Sequence, residues 1–363
     1  MKISRREFLT ALAVTGGALL TGCAGAPAAR AGAGAGRRVV DAHSHWYPQE
    51  FIDLVEREGA ALGGKVGRNA SGSVTFELPG MNSVFAPIYT DLESRIRMMD
   101  DAGIDVQVLS LMQPMVYWAP PAFGLQLSQV FNDACSAAHR KYPDRFVGLA
   151  MAPMQSPDLA VRELERAGKL PGLRGLMMAT AVNGRNLDDK AFFPVYAKCE
   201  ELGWPIFPHP IAPLGGDRMR SYNMSNLLGN PVEIGVAAAA LIYGGVLEAY
   251  PGLEVMLPRA GGNLPFGIGR YDRNAETTPA LKNMKRPPSA YLRRFYCDTI
   301  IENAQVLTAL VRIMGADRVV FGTDYASPNR DKRPVEFIEG LTELSQRERD
   351  MILGTNAARL FKI

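Results

Sequence analysis

The chain has 363 residues, 47% hydrophobic and 21% charged, a globular balance that excludes a disordered or collagen-like chain. Its formal net charge is +3, and Lys2, Arg5, Arg6 and Glu7 at the N-terminus sum to +2 of it, leaving +1. A nearly neutral chain without a nucleic-acid-binding motif has no general electrostatic reason to bind nucleic acid.

Residues 1–36 read as an export signal and tether, outside the folded domain. A basic start precedes the apolar run Phe8–Leu20, which is too short to cross a bilayer comfortably. Ser4-Arg5-Arg6-Glu7-Phe8-Leu9 resembles the twin-arginine export signal, a route that carries folded proteins and suits an enzyme loaded with metal before it leaves the cytoplasm. Leu20-Thr21-Gly22-Cys23 resembles a lipobox, which makes Cys23 a lipidation site. Ordinary cleavage within the Ala-rich stretch 24–35 is the other reading. The expected location is the periplasm, free or as a membrane-anchored lipoprotein. Past the signal no stretch approaches ~20 apolar residues, so no internal membrane span is expected. Cys135, Cys199 and Cys297, an odd number with no close pair, read as buried thiols rather than a disulfide framework.

From residue 37 onward strands and helices alternate. Apolar, β-branched-rich runs recur at Val39–His45, Val106–Met112, Phe146–Met151, Gly175–Met178, Pro205–His209, Leu253–Leu257, Phe295–Thr299 and Arg318–Phe321. Between them lie helical patterns such as Leu127, Val130, Phe131, Ala134, Cys135 and Ala138, and Phe192, Val195, Tyr196, Cys199 and Leu202. Such alternation predicts a parallel sheet in an α/β fold, and its economical closure over residues 37–363 is a (β/α)8 TIM barrel, with an open doubly wound sheet as the alternative that periodicity alone does not separate. Residues 57–90, rich in Gly and Ser, break the alternation and read as a small insertion after the first strand, over the barrel mouth.

Two of the four histidines, His43 and His45, close the first strand. Strand side chains alternate, so both face one side, and at the C-terminal end of a barrel strand that side is the active-site mouth. Two imidazoles there can grip one divalent ion, with Asp41 expected on the same face below them. His209 closes the fifth strand and Asp324 the eighth, which adjoins the first in a closed barrel. A carboxylate touching both metal and bound water can accept a proton. His139, on the basic last turn of a helix, reads as a solvated residue. Trp46, Trp118 and Tyr325 follow strand ends and are candidate substrate-binding walls, as is Met219–Asn223 in the loop after His209.

The His43/His45 pair, His209 before Pro210 and the Gly322-Thr323-Asp324 ending resemble the amidohydrolase superfamily. They are most similar to its amidohydrolase-related (amidohydrolase-2) family, the branch of α-amino-β-carboxymuconate-ε-semialdehyde decarboxylase. Met98–Asp105, Tyr142–Gly148 and Gly261–Phe266 with Arg270 match that family in order, so the resemblance spans about residues 39–363. It implies one divalent metal, Zn or Mn, on His43, His45, His209 and Asp324, with relatives that are often homodimers. One position departs: where the family usually carries a His before the Gly-Gly turn, this chain has Arg259. Arginine stays protonated and cannot be an ordinary base, but it can clamp a carboxylate or stabilise developing negative charge. The expected activity is decarboxylation of a planar or aromatic carboxylic acid, with Asp324 and Arg259 as catalytic residues and Arg259 also binding the acid. Metal-dependent hydrolysis of a lactone or amide and a non-catalytic exported barrel are the alternatives.

Overall fold

Parallel strands that are sheltered on both faces read as near-continuous apolar runs, and the eight runs above pair in chain order. In this computed structural model, which describes residues 37–79, 81–278, 283–325, 327 and 332–363, they are β1 (Val40–His45), β2 (Val106–Ser110), β3 (Phe146–Ala150), β4 (Leu173–Ala179), β5 (Ile206–His209), β6 (Val255–Leu257), β7 (Phe295–Asp298) and β8 (Val319–Val320). The TIM-barrel reading holds, and Arg37–Ile363 forms one compact unit. The twin-arginine-like motif, the lipobox with Cys23 and the tether lie outside the described residues.

The helices bury the faces that their spacing marks. Pro121–Lys141 packs Leu127, Phe131, Cys135 and Ala138 inward, and Phe193–Leu202 packs Val195, Tyr196 and Cys199. All three cysteines of this unit are buried free thiols. His139 departs from expectation: it is half-buried and its Nδ1 lies 2.7 Å from the Phe146 carbonyl, so packing against β3 rather than solvent decides its place. One helical stretch, Ser225–Tyr243, is long and apolar enough to cross a membrane by length and composition, contrary to the expectation from sequence. Burial of Ile234, Ala237, Ala238, Leu241 and Ile242 accounts for its apolar face.

The insertion is a three-stranded antiparallel sheet of Lys65–Arg68, Val74–Leu78 and Met81–Phe85. Phe76 of this sheet sits 4.6 Å from the Trp118 ring, and Phe85 sits 4.8 Å from the Tyr47 ring, so aromatic contacts at the ends of β1 and β2 seat it.

Closure of the barrel is a thin seam. Among the described residues no ladder joins β8 to β1; the segment after β8 meets β1 at an isolated bridge, Ser44 with Tyr325. Around it Ala42 N donates to the Phe321 carbonyl at 2.8 Å, Asp324 N donates to that of His43 at 2.9 Å, and His45 N donates to that of Tyr325.

Elsewhere, buried polar groups bind the shell to the barrel. Asn132 donates to the Met151 carbonyl at 2.9 Å and to Glu163 at 2.7 Å, and accepts from Met151 N at 2.7 Å. Asn132→Ala orphans a backbone pair and leaves the buried Glu163 short of a donor. We expect a loss of about 2–4 kcal/mol of stability, read as a lowered urea midpoint at unchanged slope.

Candidate metal centre

His43 and His45 close β1, His209 closes β5, and Asp324 follows β8. One ligand atom from each falls within 4.8 Å of all the others, and all four residues are buried. His43 Nε2 and His45 Nε2 are 3.2 Å apart, and Asp324 Oδ1 stands 3.1 Å from the second and 3.6 Å from the first. His209 Nε2 is buried with no hydrogen-bond partner. Gly322 makes this approach possible, since a Cβ there would stand 2.9 Å from His43 Cβ.

The far nitrogen of every imidazole faces an acceptor. His43 Nδ1–H donates to Asp298 Oδ2 at 2.7 Å, His45 Nδ1–H to Ser110 Oγ at 3.1 Å, and His209 Nδ1–H to the Pro210 carbonyl at 2.9 Å. Ser110 Oγ donates onward to the Ser44 carbonyl at 2.8 Å, which leaves its lone pair for His45. Each ring is thus held in the tautomer that turns an Nε2 lone pair toward the shared point. Three lone pairs and a carboxylate converging on one buried point repel one another, and a divalent cation between them removes that repulsion. Three nitrogens and one oxygen suit zinc or manganese.

Charge effects agree with this assignment. Burial pulls His45 down to about 4, against the opposing pull of Asp324. Burial, then His45 and His43, hold His209 well below its ordinary value. Both rings are therefore neutral, as ligation requires. Burial pushes Asp324 up, but His45, Arg259 and His43 outweigh it and hold the carboxyl well below the usual range.

Arg259 reaches the other side of this carboxylate, with Nη2 3.3 Å from Asp324 Oδ2 and 3.4 Å from Asn226 Oδ1. Its Nη1 is buried without a partner. Asp324, Arg259 and Ala260 have φ of 53°, 49° and 55°. Left-handed backbone at such residues costs about 1–3 kcal/mol each and collects at functional sites. Two cavities of about 240 and 230 Å³ share Asn226, Arg259 and Asp324 in their walls. The first adds Tyr89, Met112, Gln113, His209, Asn223 and Asn230; the second adds Leu227, Pro231, Ile300 and Ile301. A larger groove of about 450 Å³, lined by Tyr243, Arg270 and Tyr271, holds none of the four ligands.

The profile of the amidohydrolase family (Amidohydro_2) matches residues 40–363. The chain belongs to that family. It is 35% identical over 324 residues to the 2-amino-3-carboxymuconate-6-semialdehyde decarboxylase of Dictyostelium discoideum, covering 88% of this chain and 90% of the relative. Among solved structures it resembles 5-carboxyvanillate decarboxylase from Sphingomonas paucimobilis, with a TM-score of 0.78 and 27% identity over 90% of this chain and all (100%) of the other. It also resembles a dihydroxybenzoic acid decarboxylase from Polaromonas sp. with bound manganese and 2-nitroresorcinol, with a TM-score of 0.73, 28% identity, and coverage of 90% and 97%.

Not every candidate residue of this amidohydrolase reaches the site. Trp46 is buried, with Nε1 donating to the Thr90 carbonyl at 3.0 Å and its ring 6.3 Å from Phe131. Trp118 is half-buried between Phe76 and Phe123 and anchors the inserted sheet. The Tyr325 ring lies under the Arg95 guanidinium at 4.5 Å and lines a separate cavity with Met98 and Ile104. None of the three lines the cavities at the ligand cluster, because aromatic surface at these strand ends is taken up by helix and insertion packing. Of the loop after His209, Asn223 lines the site while Tyr222 is 88% exposed. Asp41 also departs from expectation. The pairing of β1 with β2 slips between Asp41 and Ser44, so strict alternation is broken there. The Asp41 carboxylate meets Thr323, Gln107 and the backbone N of His43, and neither imidazole.

Asp298 is the residue that sequence reasoning missed. It ends β7, is fully buried, and accepts from Ala260 N at 3.0 Å and Ile300 N at 3.1 Å as well as from His43. The signal for it was weak: one carboxylate closing an apolar strand. Asp298→Asn keeps the shape but removes the charge that orients His43. We expect a 10–100-fold loss of metal affinity by chelator competition, with the far-ultraviolet spectrum unchanged.

Proposed function

We propose that this protein is a metal-dependent carboxy-lyase that removes CO₂ from a planar, aromatic carboxylic acid, with one Zn²⁺ or Mn²⁺ held by His43, His45, His209 and Asp324. The observation that carries this reading is a fixed cation, Arg259, set against the outer oxygen of the one carboxylate in the ligand cluster. The names of the relatives support it, since all three are decarboxylases of carboxylic acids and one was solved with manganese and a nitroaromatic inhibitor.

A divalent ion in this cluster supplies positive charge that draws electron density from a substrate oxygen. The residues of the chain account for the rest. Arg259 offers the unpartnered Nη1–H groups to the carboxylate of the acid and keeps its charge throughout, so it binds and stabilises negative charge without taking a proton. Asp324 Oδ2 is the seat for the transferred proton. The substrate binds as its carboxylate; one proton taken up from solvent passes through Asp324 to the ring carbon as the C–C bond breaks, so that the carboxylate and that proton become the arene and CO₂. A carboxyl held well below the usual range holds such a proton only in passing and gives it up readily to the ring carbon. The amides of Gln113, Asn223, Asn226 and Asn230 suit hydroxyl or carbonyl substituents on the ring, and Leu227, Pro231, Ile300 and Ile301 suit its apolar face.

This proposal extends to the N-terminal segment and to assembly: export of the folded, metal-loaded chain by the twin-arginine route, lipidation at Cys23, a periplasmic or membrane-anchored location, and a homodimer. Fractionation of cells producing the full chain, with intact mass and sedimentation of the released protein, reads these parts.

For the activity itself, hydroxybenzoic acids are offered to the metal-loaded protein and CO₂ is measured. We expect CO₂ release that a chelator abolishes and Mn²⁺ or Zn²⁺ restores. Acid consumed without CO₂, or turnover of lactones or amides alone, replaces this reading with metal-dependent hydrolysis. Arg259→Gln is expected to lower kcat/KM about 10²–10³-fold at unchanged metal content.

A further inference from the structure

Metal ligands delivered by two strands can meet only if those strands keep a fixed relation. Here β1 brings His43 and His45, and the segment after β8 brings Asp324, yet the two share a single bridge and a few backbone bonds. A buried polar unit lies behind this seam. Asp41 of β1 accepts from Thr323 N at 3.0 Å and from Thr323 Oγ1 at 2.6 Å, one residue before Asp324. Gln107 of β2 donates to Asp41 at 2.7 Å and accepts from Arg95 Nη1 at 3.2 Å. Arg95, on the helix Leu92–Ala102, is fully buried. Its Nη2 donates to the carbonyl of His45 itself, and its guanidinium covers the ring of Tyr325, one residue after Asp324.

We propose that Arg95 is a positioning residue for the metal centre: with Asp41, Gln107 and Thr323 it locks β8 to β1, so that His45 and Asp324 are preset for one ion. This rests on the reading of the four-residue cluster as a metal site.

Chemistry favours positioning over simple packing. A fully buried guanidinium is costly to desolvate, and an apolar side chain would fill the same space at lower cost. What the apolar side chain lacks is a planar fork that donates to two acceptors on different strands while its face stacks on a ring. One contact lies on the ligand His45, one on the residue after Asp324, and the third reaches His43 N through Gln107 and Asp41. The Asp324 backbone is left-handed and follows a strand of two residues, so little else in the ladder holds its angle.

The test compares the full chain with Arg95→Lys, Thr323→Val and Asn132→Ala. Lysine keeps the charge and loses the fork; valine keeps the Thr323 shape and its backbone bond to Asp41 but loses the hydroxyl bonds to Asp41 and Tyr325 N. Asn132 shares no partner with the cluster and controls for lost stability. Mn²⁺ affinity is read by chelator competition, and the site geometry by the visible spectrum of the Co²⁺-loaded protein. We expect Arg95→Lys and Thr323→Val each to weaken Mn²⁺ binding at least tenfold and to shift the Co²⁺ bands, with Asn132→Ala matching the unaltered chain in both. If Arg95→Lys does not fold, Thr323→Val decides alone. Unaltered affinity and spectrum in the folded variants overturn the proposal. An equal loss in Asn132→Ala overturns it too, because binding would then follow stability. An unaltered chain that binds no metal overturns the metal-site reading itself, a separate result.

Discussion

Mutual repulsion of electron pairs is the constraint from which the rest of this structure follows. Three imidazole Nε2 atoms and a carboxylate oxygen face one another at a buried point, where their charges and lone pairs are poorly screened. Such an arrangement is stable only if something holds each group in place and something positive shares the space. The chain supplies the first through acceptors on every Nδ1, and part of the second through Arg259 on the outer face of Asp324. Rigidity around the site is therefore a condition of its existence.

That condition accounts for the buried polar groups that flank β1. Asp298 links the end of β7, the turn containing Ala260 and the ring of His43. On the other side of β1, Asp41, Gln107 and Arg95 link the same strand to the residues that flank Asp324. The first strand is held from both sides by carboxylates, neither of which points at the ion position. Barrel ladders alone cannot do this, because the seam between the last and first strands has too few backbone bonds.

The replacement of the usual family histidine by Arg259 changes the electrostatics without disturbing the cage. A histidine can exchange a proton; a guanidinium at the same turn cannot, and it holds Asp324 ionised. In the proposed reaction proton transfer then falls to the carboxylate, and the arginine serves the substrate anion. The cavity walls divide along the same line, amides toward His209 and aliphatic side chains toward Ile300, as suits a flat acid with polar substituents on one edge.

Periodicity was enough to find the eight strands, since segments sheltered on both faces must be apolar throughout, and enough to place His43, His45, His209 and Asp324 at strand ends on one rim. Those are local properties of a repeating fold, visible wherever the repeat is regular. The sequence by itself thus determined the eight strands and the candidate ligand set, while the choice of a closed barrel over an open doubly wound sheet lay beyond periodicity. It misplaced Trp46, Trp118, Tyr325 and Asp41, and it overlooked Asp298, because the direction of a side chain beyond a strand end, or across a slip in register, depends on neighbours hundreds of residues away. The tertiary structure alone decided that the aromatic residues pack, that Arg259 meets Asp324, and that a buried arginine stands behind His45. Each of those is a contact between segments that no local pattern relates, fixed only when the chain closes on itself.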